Sequence, residues 1–128
     1  MSRQLLRSAK LYTPRFRYTP CVKTGPFYAI SGMIGFDPAN GKLVSGGPYG
    51  ETRQILSLLQ LALGDWGLTL DDLVQARIYT THMDQFPEIN RAWDEVFATI
   101  DPPARTSIGV AALPAGAGVE IEFSLYKA

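Results

Sequence analysis

The chain is poor in the residues that most catalytic centres are built from. Its single cysteine, Cys21, excludes an intrachain disulfide. Following Pro20, it reads as a structural residue in a loop. The only histidine, His82, has no second histidine or cysteine at ligand spacing, which argues against a metal site. It also leaves little scope for a catalytic triad, and His82 reads as a strand-end residue rather than a base. No phosphate-binding glycine loop follows a strand, and no serine sits in a nucleophile elbow. Neither sign of charge is in excess. Lys and Arg number 12, Asp and Glu number 12, and the formal net charge is zero. Such a chain lacks the basic footprint of a nucleic-acid partner. The basic residues Arg3 and Arg7 are not followed by an apolar stretch, so no secretory signal is expected. No apolar run approaches the length of a membrane span, and the expected setting is the cytoplasm.

What is present is enough for one folded domain over residues 1–128, with a hydrophobic fraction of 46%. Ala9 to Tyr12 is expected to start a strand. Thr13 to Pro20, interrupted by two prolines, is expected to be irregular. Phe27 to Met33 is aromatic and β-branched and predicts a strand. Asp37-Pro38-Ala39-Asn40-Gly41 predicts a turn and Gly46 to Gly50 a loop. Glu51 to Trp66 predicts a helix, with Ile55, Leu58, Leu59, Ala62 and Trp66 in one stripe. Leu56 and Leu63 widen that stripe beyond what one sheet would cover. Val74 to Thr81 alternates, with Val74, Ala76, Ile78 and Thr80 on one face. Gln85 to Thr99 predicts a second helix that buries Phe86, Ile89, Trp93, Val96 and Phe97, with Pro87 in its first turn. Two strands follow, Arg105 to Ala112 and Val119 to Tyr126. The pattern argues for an α+β fold: one mixed sheet with two helices on one face.

The last two strands hold the candidate residues for chemistry, although Arg105 could equally be a surface arginine with a solvated partner. Arg105 opens its strand behind two prolines, and a guanidinium offers a planar fork that matches a carboxylate. Glu120 and Glu122 alternate with Val119, Ile121 and Phe123, so the two carboxylates share a face. On a solvated face they would be ordinary surface residues. Covered by another subunit, a carboxylate there would titrate upward and could act as a general base. A simple hairpin between these strands would hold Arg105 far from Glu120. A shared site therefore needs another strand arrangement or a neighbouring chain.

Several segments resemble the RidA family, also called YjgF. They are Pro102-Pro103-Ala104-Arg105-Thr106-Ser107-Ile108-Gly109-Val110, then Leu113-Pro114 and Val119-Glu120-Ile121-Glu122. Ile30-Ser31-Gly32 with Gly35-Phe36-Asp37-Pro38 and Gly41-Lys42-Leu43-Val44 is similar too, as are Glu51-Thr52-Arg53-Gln54 and Phe86 to Trp93. The resemblance runs in order along nearly the whole chain. It implies a chorismate-mutase-like fold, a homotrimer with sites between subunits, and hydrolysis of 2-aminoacrylate-derived 2-imino acids to 2-keto acids and ammonia. Carried over by position, Arg105 would bind the substrate carboxylate and Glu120 would activate water. Tyr18, Ser31, Gly32 and Asn90 would line the pocket, and Ser107 stands where many members have a cysteine. No cofactor is implied, since an imine is already electrophilic. The chain departs from the pattern at Phe16-Arg17-Tyr18, where Gly-Pro-Tyr is usual, and at Met33, where a glutamine often stands. Arg15 or Arg17 is expected at the pocket mouth, favouring acidic or polar side chains. A carboxylate-binding or chaperone-like trimer, a ribonuclease and a pathway-specific aminomuconate-type deaminase remain as alternatives.

Overall fold

A computed structural model of the chain describes residues 2–128. Eight strands and two helices follow in order. They are β1 (Gln4–Leu6), β2 (Cys21–Thr24), β3 (Phe27–Ile34), β4 (Phe36–Asp37), β5 (Lys42–Leu43), α1 (Gly47–Asp65), β6 (Leu73–Thr80), α2 (Phe86–Val96), β7 (Ala104–Gly109) and β8 (Val119–Tyr126). Six strands form one sheet in the order β1-β2-β3-β8-β6-β7, and β4 and β5 form a small separate ribbon. Every pairing in the large sheet is antiparallel except β6 with β7, whose parallel crossover runs through α2. This is the α+β, chorismate-mutase-like arrangement of a mixed sheet with two helices against one face.

The alternation in β8 decides which face is which. Val119, Ile121, Phe123 and Leu125 are buried and pack with Ile55, Leu59 and Leu63 of α1 and Ile89 and Trp93 of α2. Burying each such side chain is worth roughly 1.5–3 kcal/mol, which fixes the register of β8 in the sheet centre. Glu120, Glu122 and Ser124 therefore project from the opposite, open face, beside Tyr79, Arg77 and Gln75 of β6. There the Tyr79 hydroxyl donates to Glu122 at 2.5 Å, and Arg77 lies 3.9 Å from the same carboxylate.

Several sequence expectations need correction. Ala9 to Tyr12 is not a strand; the first strand lies at Gln4–Leu6, and Tyr12 instead packs edge-on against Phe36. Cys21 is not in a loop but opens β2, wholly buried, and burial pushes its thiol up to about 12. Helix α1 begins earlier than expected, at Gly47, because Pro48 occupies its first turn and Gly46 supplies a left-handed φ of 105°. Val74 does not share the core face of β6. A register shift between Leu73 and Gln75 turns it outward, leaving it 53% exposed, and Leu73 takes the inner place. The wide apolar stripe of α1 is covered within the chain by the sheet and α2, so it gives no reason to expect a partner.

Candidate active site

A cavity of about 400 Å³ opens on the sheet face away from the helices, and Glu120, Ser31, Gly32 and Tyr18 all line it. Its floor is built by an irregularity. Between Ile30 and Met33, β3 carries two residues, Ser31 and Gly32, against the single Glu122 of β8. Such a bulge bends the strand and re-aims its neighbours. The Glu120 carboxylate lies directly over Gly32. A methyl group built there would fall 2.0 Å from Glu120 Oε2, so this position must be glycine if the carboxylate is to stay where it is.

Ser31 ties the preceding loop to the sheet. Its N–H donates to the Pro20 carbonyl at 3.0 Å and its hydroxyl donates to the Thr19 carbonyl at 2.6 Å. A carbonyl can only accept, so the Ser31 proton is committed and its oxygen faces other groups as an acceptor. The same clamp sets Tyr18, one residue earlier. Burial, reinforced by the Glu120 carboxylate, pushes the Tyr18 phenol up, so it keeps its proton as a donor. Tyr12 accepts from the Ile34 N–H at 2.9 Å, and burial raises its phenol to about 12.

Glu120 itself is half-buried. Desolvation raises its pKa, and the neighbouring Glu122 adds to the shift. The direction has a consequence for stability. The unfolded chain releases this proton near the ordinary value of about 4.3, the folded chain only at higher pH. The folded state is therefore favoured below the unfolded value, and that advantage is lost as pH rises through the folded value. Glu120→Gln, which never ionises, is expected to unfold at a higher temperature than the parent at neutral pH. The difference should shrink on acidification, as calorimetry at pH 7 and pH 4 would register.

Arg105 lies elsewhere. It pairs in register with Ala76, a core-facing residue of β6, and so points to the helix side of the sheet. One of its guanidinium nitrogens donates to Asn90 Oδ1 of α2 at 2.8 Å, and the group lies over Trp93 and Phe86, with centroids at 5.1 and 5.5 Å. Burial lowers its pKa, with Asp94 opposing, and no carboxylate of the described residues pairs with it. Ser107, opposite Ile78, shares that face.

The expected residues thus fall into two groups on opposite faces of one sheet. Tyr18, Ser31, Gly32 and Glu120 meet in the cavity; Arg105, Asn90 and Ser107 do not reach it, and Asn90 holds Arg105 rather than lining the cavity. Of the two flanking arginines, Arg15 lines the cavity, donating to the Gly41 carbonyl and lying 4.2 Å from the Phe36 ring centre, whereas Arg17 does not. Sequence reasoning missed Tyr12, Phe36 and Ala115. The first two belong to segments far apart in the chain. Ala115 gave a signal only in its neighbours Pro114 and Gly116; its left-handed φ of 58° is rare for a residue with a Cβ. Among the described residues, no three His, Cys, Asp or Glu side chains converge to hold a metal. Nor, among the described residues, is any helix long and apolar enough to cross a membrane.

Comparison with known proteins adds a lineage to this geometry. The sequence model of the family described as Endoribonuclease L-PSP matches residues 9–126. A RutC family protein of Pyrococcus horikoshii is 34% identical over 110 residues, covering 86% of each chain. The goat (Capra hircus) 2-iminobutanoate/2-iminopropanoate deaminase is 33% identical over 120 residues, covering 94% of this chain and 87% of the relative. Among solved structures, RidA from an Antarctic Psychrobacter superposes with a TM-score of 0.90 at 31% identity, covering 97% of this chain and 99% of that one.

Proposed function

Because this chain belongs to the RidA family, the family of the Endoribonuclease L-PSP model, we propose that it is an imine deaminase. In this reading it hydrolyses 2-imino acids to 2-keto acids and ammonia, in a homotrimer whose sites lie between subunits. The observation that carries the reading is the separation of Arg105 from Glu120. Each has the character of a ligand-directed group: a desolvated guanidinium without a carboxylate, and a desolvated carboxylate without a cation. Within one chain they face away from each other. A small imino acid can meet both only if one subunit supplies Arg105, held by Asn90 and flanked by Ser107, and its neighbour supplies the Glu120 cavity.

The chemistry then follows from the groups. Arg105 binds the carboxylate and orients the C=N carbon, making water attack effectively unimolecular. Glu120 takes a proton from water as its oxygen adds to that carbon. The proton passes to nitrogen, giving a carbinolamine, which collapses to the keto acid and ammonia. Tyr18 donates toward the developing charge, and Ser31, as an acceptor, suits the N–H of the departing amine. The balance is one imino acid and one water for one keto acid and one ammonia, with no redox step. An RNA substrate fits less well: the open face carries Glu120 and Glu122, and the chain has no net positive charge.

Mixing subunits tests the reading directly. Arg105→Ala and Glu120→Gln chains, each nearly inactive alone, are unfolded together and refolded. Every mixed trimer then regains one intact site, and about a quarter of parental activity returns for a random equal mixture. Recovery no greater than the sum of the parts would contradict a site shared between chains. So would a solution mass near the 14.1 kDa of one chain at micromolar concentration.

A further inference from the structure

We propose that the cavity selects imino acids with a large apolar, preferably aromatic, side chain over the small ones of the pyruvate type. This rests on the deaminase reading and adds the substrate class to it. The first observation is size. At about 400 Å³ the cavity falls within the range that holds whole small-molecule ligands, far more room than a methyl or ethyl side chain needs. The second is lining. Apart from Glu120, Ser31 and Tyr18, which the chemistry uses, and from Arg15, the lining is apolar and includes the rings of Tyr12, Phe16 and Phe36 with Ile34. Tyr12 and Phe36 meet edge-on with centroids 4.9 Å apart, an arrangement that offers a third ring faces and edges to pack against.

The third observation concerns Phe16, which lines the cavity yet is 69% exposed and buries little against the fold. A ring held out at the rim of an apolar cavity gains contact area when an apolar side chain enters beside it. Arg15 does not reverse this preference. Its guanidinium donates to the Gly41 carbonyl and stacks on Phe36, so it completes the wall instead of waiting as a counter-ion for a second carboxylate. The expectation of acidic or polar side chains, drawn from Arg15 or Arg17 in the sequence, gives way to an apolar one.

The experiment uses the full chain and imino acids made in place by an amino-acid oxidase from phenylalanine, alanine and glutamate. Keto-acid formation is followed above the spontaneous rate. A single methylene in an apolar site discriminates by about 10-fold or more, so kcat/KM for the phenyl-bearing substrate should exceed that for the methyl-bearing one at least tenfold. Phe16→Ala, at an exposed position that should not disturb folding, should lower that ratio several-fold. A ratio near or below one, or a best rate with the glutamate-derived substrate, would overturn the substrate class and leave the deaminase standing. No acceleration with any of the three would remove the deaminase reading, and the substrate class with it.

Discussion

Arg105→Ala is expected to lower kcat/KM for imino-acid hydrolysis more than a hundredfold. The guanidinium is half-buried over Trp93 and Phe86 and fixed by Asn90, so it meets an incoming carboxylate already oriented and partly stripped of water. Removing one partner from such a pair costs on the order of 3–5 kcal/mol. The substrate carboxylate is charged in the ground state and in the transition state alike. The loss should therefore show in binding as well as turnover: calorimetric titration with pyruvate should lose its signal. Arg105→Lys should recover little. An ammonium can satisfy the charge, but it cannot donate to Asn90 Oδ1 and present a two-pronged face to a carboxylate at once. Retention of activity within a fewfold of the parent in either variant would exclude Arg105 as the carboxylate anchor.

Glu120→Gln should separate binding from chemistry. The amide keeps the shape over Gly32, so pyruvate should still bind with near-parental affinity. It cannot take a proton from water, and kcat should fall by roughly 10²–10⁴. In the parent, desolvation lifts Glu120 above the ordinary carboxylate range, so the rate should begin to fall on acidification at a higher pH than an exposed glutamate would dictate. In the proposed mechanism the active form is the anion, and protonation removes it. The residual rate of Glu120→Gln should lack that acid limb. Full turnover in the variant, or an unchanged acid limb, would move water activation to another group. The same substitution is expected to raise thermal stability at neutral pH. A carboxylate held half-buried and partly desolvated is kept at a cost to the fold, and relieving that cost should cost the chemistry.

What could be read from the sequence was periodicity, and what could not was which strands become neighbours. The alternation of Val119 to Tyr126 put Glu120 and Glu122 on one face and the apolar residues on the other, as the structure has them. The stripe of α1 was equally legible, although its width pointed to a partner when α2 already supplied the cover. Val74 was misread because a one-residue register shift inverts a face without leaving a mark in the amino acids. The site shows the same boundary. Arg105 and Glu120 stood out as residue types in promising places, and a hairpin between their strands would already have held them apart. That β6 would come between β7 and β8, parallel to one and antiparallel to the other, depends on the α2 crossover packing onto the sheet. Tyr12 and Phe36 were invisible for a related reason: they acquire a role only when loop and ribbon fold over the bulge at Ser31 and Gly32.

The place of β8 also bears on how the chain is made. This strand is translated after every other strand of the sheet, yet it sits between β3 and β6 and joins them. Ile30 pairs with Phe123, a partner that leaves the ribosome only after ninety-two intervening residues. Until then the nascent chain holds two half-sheets, each with a hydrogen-bonding edge and an apolar face waiting for the same insertion. Closure over so long a separation is slow, and the waiting edges are open to wrong partners. Synthesis stopped short of Val119 would leave the halves unjoined, so a nascent chain gains Glu120 and its completed core in one step.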